Sequence, residues 1–375
     1  MNFQYSDEQT LIRDSISRFL ADEYSFERRL ALTADGLGYS DAHWKQFAEL
    51  GWLALPFAEQ YGGLDATPVE MMIIMEQFGR GLMVSPYLST IVLAGQLLAD
   101  TGSEQQRETI LPAVVAGQHL LACAYTEPQS RYALSAVSTR AERDGENFII
   151  NGEKSMVIFA ECADTLIVSA RTSGIDHDTH GVSLFLVDSK TTGIAMADHK
   201  THDSARASDI TFRDVAVSAD NLLGEFDNGL PALEYAIDTA SAAVCAEASG
   251  AMWSIYEQTL TYLKTREQFG QPLSTLQALQ HRMVDMYMSC ELAQSAMLDA
   301  TLHLDAEPTA RRRAVSAAKV VIANHGKSVG QEGVQLHGGV GMTMELPIGH
   351  YLKRLTAINA TFGDANYHLH RYQNP

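Results

Sequence analysis

Apolar positions recur every three to four residues along most of the chain, and this helical rhythm is broken once, by about a hundred residues that alternate instead. Ser6 and Gln9 have the spacing of a capping box, and Leu11, Ile12, Ile16, Phe19 and Leu20 then follow on one helical face. Further helices are predicted over residues 41–50, 67–80 and 86–99, and Ser103 with Gln106 repeats the capping signal ahead of Ile110 and Leu111. Turns at Gly62-Gly63 and Gly81 punctuate them.

After Leu121 the period changes. Residues 123–126 read as extended before Pro128, residues 133–143 alternate, and Asp144-Gly145 marks a hairpin leading into Phe148, Ile149 and Ile150. Residues 165–170, 182–187 and 210–212 are apolar, β-rich runs, and the β region closes near Asn221 to Gly224. From Pro231, well suited to a first helical turn, the chain to Lys264 has no further proline and reads as one long helix. Residues 274–304, 309–332 and 348–360 complete a set of four helices expected to form an antiparallel bundle. The pattern divides the chain into an N-terminal helical domain (1–121), a middle β domain (122–224) and a C-terminal helical bundle (225–375), an α+β class that is mainly helical.

At 375 residues with 46% apolar content the chain has enough material for two or three domains. A net charge of −19 argues against a nucleic-acid-binding surface, and the largest basic cluster, Arg311 to Arg313, reads as a solvated helix end. Cys123, Cys162, Cys245 and Cys290 are far apart and lack CxxC spacing, so they read as buried thiols of a reducing compartment rather than as metal ligands or a disulfide framework. Neither a leader sequence nor a bilayer-spanning apolar run is visible, which makes the cytoplasm the expected location. No GxGxxG follows a strand and no GxxxxGK[ST] is present, so neither usual nucleotide loop is expected.

Two glycine-ended runs stand between the bundle helices: TREQFGQ at residues 265–271 and QLHGGVG at residues 335–341. Together they resemble motifs of the acyl-CoA dehydrogenase family, with Arg266, Phe269 and Gly270 matching R-x-x-F-G and Gln335, Gly338 and Gly339 matching Q-x-x-G-G. The resemblance implies a helical domain, a β-barrel-like middle domain and a four-helix bundle. It also implies that both runs reach across a subunit interface to a neighbour's FAD, with Gln277 as a further amide contact.

The reaction the resemblance implies is α,β-dehydrogenation of an acyl-CoA thioester, in which a carboxylate removes the α-proton while hydride leaves to the flavin. The family's commoner site for that carboxylate, fifteen residues beyond Pro347 and directly before a glycine, is Phe362 here. Its alternative site is Ala240, followed by Ser241. Asp364 is the nearest acid to the first position and reads either as a displaced base or as a helix-cap residue; Asp238 and Glu247 flank the second and read as ion-pairing groups. His368 and His370 read as tail side chains.

The family's T-E-P-x-x-G-S-D run begins intact at Thr126, Glu127 and Pro128, the threonine being a candidate flavin contact, but continues Gln129, Ser130, Arg131, Tyr132. Where a tryptophan and a threonine are expected after Asn151, Gly152 and Lys154, the chain has Met156 and Ile158, which offer no hydrogen bonds. The resemblance therefore points to a small, base-lacking subunit of a heteromeric enzyme, similar to those of pimeloyl-CoA or steroid side-chain degradation. Its implied partners are acyl-CoA, a homologous subunit in a heterotetramer and an electron-transfer flavoprotein. A homo-oligomeric FAD enzyme using Asp364 and a non-catalytic subunit of the same fold are the alternatives.

Overall fold

The computed structural model describes residues 4–34 and 36–375; the extreme N-terminus read above for a leader lies in part outside them. Helices α1 (Asp7–Glu23), α2 (Phe26–Ala34), α3 (Asp41–Glu49) and α4 (Pro68–Gly81) come first, and α5 (Gln96–Thr101) and α6 (Glu104–Val115) follow. Between α4 and α5, where one α-helix was expected over 86–99, the chain forms a wide-turned π segment, Leu88–Gly95, buried throughout. Strands β1 (Leu121–Ala124), β2 (Arg140–Asp144), β3 (Asn147–Ile158), β4 (Thr165–Arg171), β5 (Val182–Asp188), β6 (Ile194–Lys200), β7 (Arg206–Ser218) and β8 (Leu222–Leu223) come next. The chain ends with α7 (Leu230–Thr265), a short ribbon of β9 (Glu267–Gln268) and β10 (Gln271–Pro272), α8 (Gln277–Leu302), α9 (Pro308–His337), α10 (Pro347–Ala360) and α11 (Ala365–Gln373).

These elements form two compact units, one of residues 1–31, 68–83 and 241–375, the other of residues 32–67 and 84–240. In the helical unit, the capping box at α1 is present, with the Gln9 N–H on Ser6 Oγ (3.1 Å) and the Ser6 N–H on Gln9 Oε1 (3.0 Å). Helices α4 and α7 approach backbone to backbone. A Cβ at Gly79 would lie 1.8 Å from the Glu247 carbonyl oxygen, and one at Gly250 would lie 1.9 Å from that of Glu76. Only glycine lets the two helices come this close. Beside the crossing, Arg354 of α10 donates two bonds of 2.6 Å to the Glu247 carboxylate, the bundle ion pair expected of that residue. Arg311 departs from expectation: it is buried, and only Arg313 of the basic cluster is fully exposed.

In the second unit the sheet runs β6-β7-β3-β2-β4-β5-β8, with β1 parallel to β4. The Asp144-Gly145 hairpin joins β2 to β3 as expected, and Phe148, Ile150, Leu166, Val168, Phe185 and Phe212 share the core. Two irregularities mark β3 against β7. One follows Ile150, and the other falls between Lys154 and Val157 and leaves Met156 exposed at φ +53°. The alternating residues 133–139 do not join the sheet, since their backbone groups are taken by side chains, as described below.

Gly79→Ala and Gly250→Ala are each expected to cost about 3 kcal/mol or more, because backbone must move to admit one methyl. Gly326→Ala, where a Cβ would find only Leu355 Cδ2 at 3.4 Å and Met252 Sδ at 3.7 Å, is the control, expected neutral or slightly stabilising. Urea denaturation of the three variants checks the contrast.

Candidate functional site

The helical unit carries the two glycine-ended runs. Helix α7 stops at Thr265, and the ribbon β9–β10 follows, its turn made by Phe269 (φ +56°) and Gly270 (φ +76°), as a tight type I′ hairpin requires. A left-handed phenylalanine costs on the order of 1 kcal/mol, and this one is 87% exposed. Its ring contributes nothing to the core of its own chain. Arg266 at the hairpin's base is exposed, and among the described residues no acid pairs with it. Gln277, also exposed, opens α8.

Helix α9 ends at His337, and Gly338 then takes φ +66° and ψ −147°, a conformation that other residues avoid. A Cβ built on Gly270, Gly338 or Gly339 would meet nothing within 4 Å. Internal packing therefore does not demand glycine at these positions, and the absence of side chains leaves open backbone that an outside group can approach. Gln335 is exposed one turn earlier. The two runs are brought together by Tyr262, whose ring stacks on His337 with centroids 4.4 Å apart.

The second unit carries Thr126, Glu127 and Pro128 just after β1. The Glu127 carboxylate is buried and accepts from Lys154 Nζ (2.7 Å), from the backbone N–H groups of Ser138 (2.8 Å) and Thr139 (3.1 Å), and from Gln129 Nε2 (2.6 Å). Burial acts to raise its pKa and is outweighed by the Lys154 ammonium and these donors, so the group is held below the usual carboxylate range. Arg171, also buried, donates to the carbonyls of Ser135, Val137, Asp178 and His180. These side chains replace ladder partners for residues 135–139, which explains why the alternation there did not become a strand. The Thr126 hydroxyl donates to the Ser155 carbonyl, so its proton is directed into its own fold.

The two expected base positions hold no acid. Ala240 and Ser241 are buried within α7. Phe362 is buried at φ +60°, and Gly363 follows at φ +121° where a Cβ would strike the rings of Tyr367 and His368. Asp364 is the N-cap of α11, its Oδ1 accepting from the Tyr367 N–H at 2.9 Å.

Two buried groups not anticipated from sequence hold this turn. Lys319 Nζ donates to the carbonyls of Ile358 (2.7 Å) and Thr361 (2.6 Å), closing the end of α10, and burial pushes its pKa down to about 8. His368, expected as a tail side chain, is buried, with Nε2 3.1 Å from the Phe362 carbonyl and Nδ1 3.3 Å from Ser316 Oγ. His370 does stand exposed. The signal that would have found His368 was the cap at Asp364, which starts a helix whose first turn brings His368 inward. A surface cleft of about 460 Å³ in the same unit is lined by Ser17, Tyr24, Arg80, Glu257 and Tyr351, and contains none of the candidate base or cofactor-binding residues.

Burial, reinforced by the Lys319 and Arg371 cations, pushes the His368 pKa from 6.5 down to about 3. The unfolded chain therefore binds a proton that the folded chain refuses, and stability from this group falls as pH drops from about 6.5 to about 3. His368→Gln, which keeps a donor for the Phe362 carbonyl, is expected to flatten that loss. Urea midpoints measured between pH 7 and pH 4 check it, parallel slopes for the two proteins being the contrary result.

Residues 6–118 match the acyl-CoA dehydrogenase N-terminal domain, 122–215 the middle domain and 227–373 the C-terminal domain. The chain belongs to the acyl-CoA dehydrogenase family, whose cofactor is FAD. It is 29% identical over 359 residues to the "Probable acyl-CoA dehydrogenase YngJ" of Bacillus subtilis (strain 168), covering 94% of this chain and 93% of that one. It is 30% identical over 308 residues to the "Caffeyl-CoA reductase-Etf complex subunit CarC" of Acetobacterium woodii, covering 81% of each. A solved variant of the "Tcur3481-Tcur3483 steroid ACAD" superposes with a TM-score of 0.88 at 28% identity, covering 98% of this chain and 97% of that one. The glycine-bared backbone and unpaired guanidinium of the helical unit fit the phosphates and ring of such a cofactor. Thr126 offers it only its remaining lone pairs. No helix among the described residues is long and apolar enough to cross a membrane.

Proposed function

We propose that this chain is the base-lacking subunit of a heteromeric, flavin-dependent acyl-CoA dehydrogenase, and that it completes a cofactor site whose other half belongs to a homologous chain. The observation that carries the reading is an asymmetry. The Phe269 and Arg266 side chains and the open backbone at Gly338 and Gly339 are turned outward, unused by the core of their own chain, while the positions of a base are filled by Phe362 and Ala240. A bound flavin would supply the acceptor for the hydride of the β-carbon. Arg266 neutralises pyrophosphate charge, Phe269 supplies an apolar wall, and Gln277 and Gln335 donate amide N–H groups. The proton at the α-carbon is taken by a carboxylate of the homologous chain.

Further features support association. Val284, Tyr287, Met288 and Leu292 form an exposed apolar face on α8, and Val340, Met342 and Met344 are exposed beside the glycine turn. The similarity to a "steroid ACAD" whose name joins Tcur3481 with Tcur3483 supports a two-chain assembly and a bulky acyl group. Similarity to a subunit of a reductase-Etf complex supports an electron-transfer flavoprotein as acceptor. All four cysteines are free thiols, which suits the reducing cytoplasm. The cap that Asp364 Oδ1 makes on α11 supports a role for this acid in the fold over one in proton transfer.

Two substitutions in the co-purified complex test the reading. Arg266→Ala is expected to weaken flavin retention by about ten- to a hundredfold, the worth of one charge-assisted contact, without dissociating the subunits on gel filtration. Asp364→Asn preserves the cap, since asparagine caps as well as aspartate, and is expected to leave turnover of acyl-CoA with a dye acceptor unchanged. A loss of a hundredfold or more would make Asp364 the base and this chain a self-sufficient enzyme.

A further inference from the structure

We infer that Tyr262 is a positioning residue that couples the Arg266 hairpin to the Gly338-Gly339 turn, so that the two runs act as one preassembled clamp. The inference rests on the proposal that these runs serve a neighbour's flavin, and adds a mechanism by which they are held in register.

The geometry is as follows. Tyr262 lies one helical turn before the end of α7, and its carbonyl accepts from the Arg266 N–H at 2.8 Å, so the hairpin emerges directly from it. The Arg266 carbonyl in turn accepts from the Leu273 N–H at 2.9 Å, closing the hairpin's base. On the other side the Tyr262 ring lies nearly parallel to the His337 ring, with a 25° interplanar angle, and its hydroxyl donates to the His337 carbonyl at 3.4 Å. His337 is itself fixed. Its Nδ1 lies 2.8 Å from the Gly333 carbonyl, an arrangement that places the proton on Nδ1 and sets the ring orientation.

The His337 carbonyl that takes the Tyr262 hydroxyl belongs to the residue directly before Gly338. Gly341 folds back beneath it, where a Cβ would lie 2.7 Å from the Val334 carbonyl oxygen and 3.0 Å from His337 Cβ. The glycine turn is thus held at its start by Tyr262 and at its end by α9. Without Tyr262, the hairpin and the turn are two exposed segments on separate helices, each free to fluctuate. Preorganisation of both matters because both are exposed, and a clamp that must order itself on binding loses affinity to that ordering.

The test uses two measurements. In the chain alone, hydrogen exchange is followed in peptides covering residues 266–273 and 335–343 for the wild type, Tyr262→Leu and Tyr262→Phe. Tyr262→Leu is expected to speed exchange by about tenfold in both segments, the scale of an aromatic stack plus a hydrogen bond, and Tyr262→Phe, which keeps the stack, to restore most of the protection. Acceleration confined to 266–273, or none, overturns the coupling.

In the co-purified complex, Tyr262→Leu is expected to speed flavin release by about tenfold in the wild-type background and by less than twofold alongside Arg266→Ala, since a positioning residue has little left to position there. Equal effects in both backgrounds overturn the positioning role. If Arg266→Ala alone leaves flavin release unchanged, the trans-site reading fails and the flavin half of this inference fails with it, while the exchange data still decide whether the two segments are coupled.

Discussion

The close crossing of α4 and α7 is the constraint from which the helical unit is built. Two carbonyl oxygens occupy the space where side chains of Gly79 and Gly250 would begin, so the helix axes have one permitted separation. With α7 fixed, Glu247 projects from its buried face to take two guanidinium nitrogens of Arg354, and that ion pair places α10. Removing Arg354 would leave the Glu247 carboxylate buried without its cation, so the pair acts as a registration device more than as a source of net stability. The end of α10 is then tied to α9 by the Lys319 ammonium. Each step passes the geometry on, from a backbone contact to the turn that contains Phe362.

That turn decides what the chain can do. Its backbone oxygens are claimed by Lys319 and His368, one oxygen of Asp364 caps α11, and the position that would bear a carboxylate carries the phenyl ring of Phe362. In the sheet unit the same logic applies to Glu127. It is an acid in a flavin-contacting run of the family, yet all its bonds go inward to Lys154 and to the loop that follows. The outward-facing chemistry that remains is concentrated in the hairpin at Phe269 and in the glycine turn, both of which face away from their own core.

Much of the fold was legible because its signals are local. The capping boxes at Ser6 and Ser103, the Asp144-Gly145 hairpin and the proline at the start of α7 each specify structure within a few residues, and each is found in place. What the sequence did not disclose depends on distant partners. Residues 133–139 alternate like a strand but are held by Glu127 and Arg171 instead. Arg311 and His368 look solvated by position and are buried by packing. Lys319 is an unremarkable lysine until α10 folds back onto it. The site divides along the same line: the glycine runs were visible as motifs, whereas the stack of Tyr262 on His337 that joins them required the structure.

The most direct measurement is the flavin content of this chain purified by itself, from its visible absorbance after gel filtration, compared with that of the complex it forms with a homologous subunit bearing a base. The account predicts a colourless isolated chain and a yellow complex with fewer flavins than chains. One tightly held FAD in every protomer of the isolated chain would contradict it.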